Sequence, residues 1–137
     1  MSSVVTLSDE DAVEKFKTIN EKSILYFTAS WCPPCKMIKP IYESMAKDHP
    51  ELSFGKVDID DNAEAAAKYE VRNNPPLIIF SRKQVIAVKI LTLLFRPAFQ
   101  ISGVPTFILI DKEKIFSRFS GADQNQLELS VNALKEA

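Results

Sequence analysis

Apolar and polar positions alternate in blocks whose periods name their own elements. Val13, Phe16 and Ile19 recur at three-residue spacing after Ser8 and the acids Asp9, Glu10 and Asp11. This predicts a helix capped by Ser8, with acids in its first turn, stopping near Asn20. Ser23–Thr28 is a short apolar run rich in strand formers and reads as a strand buried on both faces. A long helical stretch follows Trp31-Cys-Pro-Pro-Cys35 and reaches about Asp48; Pro34 suits its first turn, whereas Pro40 lies inside it and should kink it. Leu52–Val57 is the next buried strand, and Asn62 caps a short Ala-rich helix over Ala63–Tyr69. Near the end, Phe107–Ile110 and Ile115–Phe119 flank Asp111-Lys-Glu-Lys114 as a hairpin. Gly121 breaks the chain, and Asp123 or Asn125 can cap a last helix that aligns Leu127, Val131 and Leu134. Helix, strand, helix, strand, helix, hairpin and helix make an α/β sandwich on a mixed sheet.

The 137 residues and 46% hydrophobic content fit one domain with a real core and exclude disordered and collagen-like classes. Seventeen basic residues against 18 acidic ones argue against binding to nucleic acid or anionic membrane by bulk charge. The average conceals an asymmetry. Val71–Gln100 holds Arg72, Arg82, Lys83, Lys89 and Arg96 with no acid, a charge of +5, while the other 107 residues carry −6. The most apolar window, Leu77–Phe99, is broken by four cations and makes a poor transmembrane span. The N-terminus has neither a secretory signal pattern nor the basic character of a transit peptide, so the expected location is the reducing cytoplasm.

Two cysteines, Cys32 and Cys35, are the full thiol inventory, too few for a disulfide-stapled scaffold. Their spacing lets the sulfurs close a small ring or open to a dithiol. They also lie where a buried strand turns into a helix, and the free N–H groups there stabilise a thiolate. Lys36 adds a nearby but solvated cation, and Trp31 with Pro33 and Pro34 should stiffen the loop while leaving the outer sulfur accessible. The chemistry predicted is a two-step exchange. Cys32 attacks a substrate disulfide, and the deeper Cys35 resolves the mixed disulfide. A structural zinc site wants about four ligands, and Cys32, Cys35 and the lone His49 fall short. His49 reads as a surface residue at a helix C-terminus.

Tyr26-Phe-Thr-Ala-Ser-Trp-Cys-Pro-Pro-Cys-Lys-Met-Ile-Lys-Pro40 resembles the active-site block of thioredoxins. Val57–Asn62, Ile101–Phe107 and Phe119–Ala122 resemble further thioredoxin blocks in the right order. The resemblance covers about residues 8–70 and 101–135. It implies a thioredoxin fold, Cys32 as nucleophile, Cys35 as resolving thiol, and no bound cofactor beyond a redox-active Cys32–Cys35 disulfide, reduced by NADPH through a thioredoxin reductase. It further implies that Pro105 is a cis proline facing the cysteines, with Val104, Pro105 and Thr106 offering backbone to a substrate peptide. Two departures stand out. Pro33-Pro34 replaces the common Gly-Pro, looks more like tryparedoxins and nucleoredoxins, and removes a backbone N–H near the thiolate. Tyr26 stands where thioredoxins commonly bury an Asp, so a slower second step is expected, with water or Lys56 carrying the proton.

Removing Val71–Gln100 joins Tyr69-Glu70 to Ile101-Ser-Gly-Val-Pro105, a normal thioredoxin passage in a chain of normal length. Three readings of the segment compete, in order of preference. It is a translated intron, since Val71-Arg72 and Phe99-Gln100 can be encoded by splice-boundary sequences and the acids vanish between them. It is a duplicated strand, since Tyr69–Phe80 followed by Val85–Val88 resembles the proline-led hairpin, with Pro75 in the cis-proline place. Against that, Asn74 and Pro76 replace the usual apolar residue and Thr, and Pro105 is preferred. Or it is a functional insertion that docks on a partner or membrane surface. Its runs Leu77–Phe80 and Ile90–Phe95 are an aggregation risk under any reading.

The expectation is therefore a single thioredoxin-like domain over residues 1–137, an α/β fold with a mixed sheet flanked by helices on both faces. Its function would be that of a monomeric protein-disulfide reductase serving electron transport and cell redox homeostasis. Disulfide-containing proteins and a thioredoxin reductase would be its partners, with no nucleic acid. The alternative is a poorly active binding or decoy module in which residues 71–100 disturb the site.

Overall fold

The chain folds around a central sheet, seen here in a computed structural model that describes residues 3–71 and 103–137. The elements are β1 (Val4–Thr6), α1 (Glu10–Ile19), β2 (Lys22–Thr28), α2 (Pro33–Asp48), β3 (Ser53–Asp58), α3 (Ala63–Lys68), β4 (Thr106–Asp111), β5 (Lys114–Ser120) and α4 (Gln124–Glu136). Two sequence expectations shift. The cap of α1 is Asp9, not Ser8: its carboxylate oxygen accepts from the Ala12 N–H at 2.7 Å, bringing a charge as well as an acceptor to the helix N-terminus. And β1 was not foreseen, because three residues are too few to show a period.

The strand order is β1-β3-β2-β4-β5. β1, β3 and β2 run parallel, while β4 and then β5 join antiparallel. The β4–β5 hairpin closes through Lys112 and Glu113, both left-handed at φ 50° and 68°, the pair of positive values that matches strand twist in a two-residue turn. This is the thioredoxin fold of the α/β class, as the resemblance implied.

Helices cover both faces. On one, α1 and α3 meet through Lys68, whose Nζ reaches Glu10 at 3.1 Å and Glu14 at 2.6 Å. On the other, the ends of α2 and α4 are linked by Glu51 and Lys135 at 3.2 Å. Alternation along β2 divides its large side chains between these layers. Phe27 packs toward Tyr69 and the α1–α3 layer, whereas Tyr26 packs against Tyr42 of α2. Every residue from Ser23 to Phe27 is buried, as expected for a central strand. Leu127, Val131 and Leu134 form the buried face of α4, and Asp123 caps it.

Of residues 71–100, Val71 lies within the described part. It is buried, and its N–H donates to the Ala66 carbonyl at 2.8 Å. Arg118 of β5 donates to the Tyr69 carbonyl and, at 3.3 Å, to that of Glu70, closing the C-terminus of α3 where the chain leaves it. The expectations for the rest of that segment fall outside the described residues.

Candidate active site

The tip of β2 and the start of α2 put the two cysteines together. Cys32 is the N-cap of α2, and Pro33 and Pro34 occupy the first helical positions, where a missing N–H costs nothing. Cys35 follows on the first turn. The two sulfurs are bonded, with Cα atoms 5.3 Å apart. The Cys35 N–H donates to Cys32 Sγ at 3.2 Å. When the disulfide opens, that donor and the positive helix end face the Cys32 sulfur and favour its thiolate. Because Pro33 and Pro34 carry no N–H, Cys35 supplies the first amide of the helix able to do so.

The second wall comes from β4. The Val104–Pro105 peptide is cis, as expected for Pro105, and the Val104 carbonyl lies 3.7 Å from Cys32 Sγ. Thr106 is fully buried; its hydroxyl donates to the Gly103 carbonyl and pairs with Ser120 Oγ at 2.9 Å. Its strand is paired with β2 on one side and β5 on the other, which leaves Val104 as the residue whose carbonyl turns to the dithiol. The sulfur is less open than the sequence suggested. Cys32 is only 3% exposed, because its Sγ is bonded to Cys35 and lies against Val104. Pro33 and Pro34 are exposed, and Trp31 is half-exposed, its indole N–H held by Asp60 at 2.9 Å. Asp60 escaped the sequence reading, although the Asp58-Ile-Asp-Asp61 run that ends β3 marks the place.

Beneath the dithiol lies Tyr26, 1% exposed, whose hydroxyl donates to the Cys35 carbonyl at 2.8 Å. Lys56 stands opposite it on β3. His49 ends α2, far along the helix from the cysteines, with Glu51 at 3.4 Å. Among the described residues, no group of three or more His, Cys, Asp and Glu side chains is arranged to hold a metal ion. Nor is any described helix long and apolar enough to cross a membrane.

The thioredoxin family model matches residues 3–92. The chain belongs to the thioredoxin family. It is 30% identical over 122 residues to sheep thioredoxin, covering 88% of each, and 33% identical over 93 residues to the thioredoxin of Buchnera aphidicola, covering 66% of this chain and 84% of that one. The crystal structure of Fasciola hepatica thioredoxin superposes with a TM-score of 0.70 at 30% identity, covering 94% of this chain and 97% of that one. The matched stretch runs beyond Phe80 and so takes in the first of the two proline blocks. The strand that pairs with β2 nevertheless follows the second, Val104-Pro105. A thioredoxin fold that closes Cys32 and Cys35 into a disulfide at a helix N-terminus is built for thiol–disulfide oxidoreduction and needs no bound cofactor for it.

Proposed function

We propose that the chain reduces disulfides in other proteins by dithiol exchange. Cys32 acts as nucleophile and Cys35 as resolving thiol. Trp31, Pro33, Pro34, Val104, Pro105 and Thr106 form the ledge that receives the substrate chain. The observation that carries this reading is the position of Cys32 Sγ, with the first amide of α2 on one side and the Val104 carbonyl on the other. The amide lowers the cost of the thiolate. An extended peptide laid along Val104 would bring its own disulfide to the same sulfur, in the manner of strand addition.

In the first step the Cys32 thiolate attacks one substrate sulfur, forming a mixed disulfide and releasing the other sulfur as a thiolate. In the second, the Cys35 thiol loses its proton to water and its thiolate attacks Cys32 Sγ. The protein disulfide closes, and the substrate leaves as a dithiol once its thiolates take up protons. Two electrons pass to the substrate. They return from NADPH through a thioredoxin reductase, which makes the protein a monomeric electron carrier of cytoplasmic redox homeostasis.

The test is NADPH-coupled insulin reduction in the presence of a thioredoxin reductase. Turnover is expected for the full chain, none for Cys32→Ser, and a trapped mixed disulfide for Cys35→Ser. Turnover that survives Cys32→Ser refutes the mechanism. The chain lacking Val71–Gln100 belongs in the same assay, because its junction sets Ile101 in the place of buried Val71. Activity confined to that shorter form would favour the decoy reading for the full chain.

A further inference from the structure

Tyr26 occupies a place that the exchange chemistry described above leaves unused. Its ring is locked: it stacks on Phe107 with centroids 5.1 Å apart and planes 9° from parallel, and lies 4.9 Å from Tyr42. Phe107 is its partner across the β2–β4 ladder, two residues past Pro105. The hydroxyl of this immobile ring donates to the Cys35 carbonyl at 2.8 Å. That carbonyl belongs to the same peptide unit as the Lys36 N–H, which donates to the Cys32 carbonyl at 3.3 Å. One peptide unit is thus held at both ends, and a hydrogen bond received at its oxygen strengthens the one given by its N–H.

We infer that Tyr26 is a positioning residue for the resolving step: through its hydroxyl it fixes the Cys35–Lys36 peptide, and with it the reach of Cys35 Sγ toward Cys32. The proposal rests on the dithiol exchange proposed above. Its force is greatest in the mixed disulfide. There the Cys32–Cys35 bond is gone, and the Cys35 backbone is held by the helix, by its own N–H on Cys32 Sγ and by Tyr26 at its carbonyl. An intramolecular attack is fast only while the nucleophile is held in line, so a loosened Cys35 lowers the rate of that step and not of the one before it.

Tyr26 does this as a neutral group. Burial pushes its phenol above the ordinary value, and the Glu43 carboxylate of α2 acts in the same direction. The other titratable neighbours are Tyr42 of α2, itself raised by burial, and Lys56, opposite on β3. Its hydroxyl proton is committed to the Cys35 carbonyl, which gives the group a positioning part and not a titrating one in the resolving step.

Stopped-flow reaction of the reduced full chain with a chromogenic aryl disulfide separates the two steps. Attack by Cys32 releases one aryl thiolate at a rate proportional to reagent, and attack by Cys35 releases the second at a rate independent of it. In Tyr26→Phe the second phase should fall about 3- to 10-fold, the effect of one lost hydrogen bond. The first phase should stay within about twofold, which also reports that the variant is folded, and the pH midpoint of the second phase should not move. An unchanged second phase, or an equal fall in both phases, overturns the proposal. A midpoint displaced by about half a unit or more overturns it too, by giving Tyr26 a part in proton transfer. Absence of the first phase in the wild-type chain would instead refute the exchange reading itself.

Discussion

Replacing Tyr42 by phenylalanine removes one oxygen from the middle of the α2 layer and leaves the ring contacts in place. That oxygen is buried, and it donates to the Gly55 carbonyl of β3 at 2.8 Å and lies 3.1 Å from the Ile24 carbonyl of β2. One hydroxyl proton serves one acceptor well, so the loss is about one buried hydrogen bond plus a carbonyl left short of a partner, together ~1–2 kcal/mol. In a chain of this size that lowers the melting temperature by roughly 3–8 °C. The ring still meets Tyr26, Phe54 and Phe107 at 4.9, 5.3 and 5.8 Å, so no cavity term is added. A second arm tests the sign of the titration. Burial raises the Tyr42 phenol well above its ordinary value. Between the unfolded value near 10 and the higher folded one, the native state therefore binds the extra proton. The stabilisation is complete below pH ~10 and drains away as pH rises through the folded value, at up to ~1.4 kcal/mol per pH unit. Urea unfolding of wild type and Tyr42→Phe from neutral to alkaline pH reads both effects. The variant should start lower and decline less steeply, so the two curves converge above pH ~10. Equal stability at neutral pH together with parallel alkaline slopes would refute the reasoning.

Two further changes probe the site and its edge. Pro34→Ala restores an amide at the second helical position, beside the one from Cys35 that already faces Cys32 Sγ. The Cys32 thiolate should form at a pH lower by about one unit, read from the pH profile of haloacetamide alkylation; no downward shift would show that the Cys35 donor already saturates the sulfur. Arg118→Met takes away the guanidinium that closes α3 at Tyr69 and Glu70 while keeping most of the side-chain stem. It should cost about 1 kcal/mol and speed hydrogen exchange at the Val71 amide, and unchanged exchange there would mean that the clamp does not hold the exit of α3.

Much of this was legible because the signals were local. Cysteine spacing, a strand before and a helix after, and the caps Asn62 and Asp123 each act within a few residues, and each appears where its chemistry requires. What escaped was set by tertiary contact. β1 exists because Val4, Val5 and Thr6 lie alongside Phe54, Gly55 and Lys56, a parallel pairing that leaves no mark on three residues. The burial of Cys32 depends on a carbonyl 72 residues away. The Tyr26–Cys35 bond is equally hidden, for a buried tyrosine in a central strand reads first as core, and its hydroxyl partner is supplied by the next element.

The hardest sequence question was which proline heads the strand beside β2, and the geometry around Thr106 answers it physically. Thr106 sits between Phe27 and Ser120 with strands on both sides, so its N–H points into a ladder and its hydroxyl is spent on Gly103 and Ser120. The Tyr69–Phe80 block would bring Pro76 to that position and Asn74 to that of Val104. Proline has no N–H to give to a ladder and no hydroxyl for Gly103 and Ser120, and each hydrogen bond so lost costs ~0.5–1.5 kcal/mol. Leu77 would then replace Phe107, removing the aromatic face on which Tyr26 stacks and the contact to Phe119 at 5.0 Å. Val104-Pro-Thr-Phe107 has none of these faults. The choice between two similar blocks is therefore made by the chemistry of two residues, a threonine that satisfies both its neighbours and a phenylalanine that closes the aromatic stack beneath the dithiol.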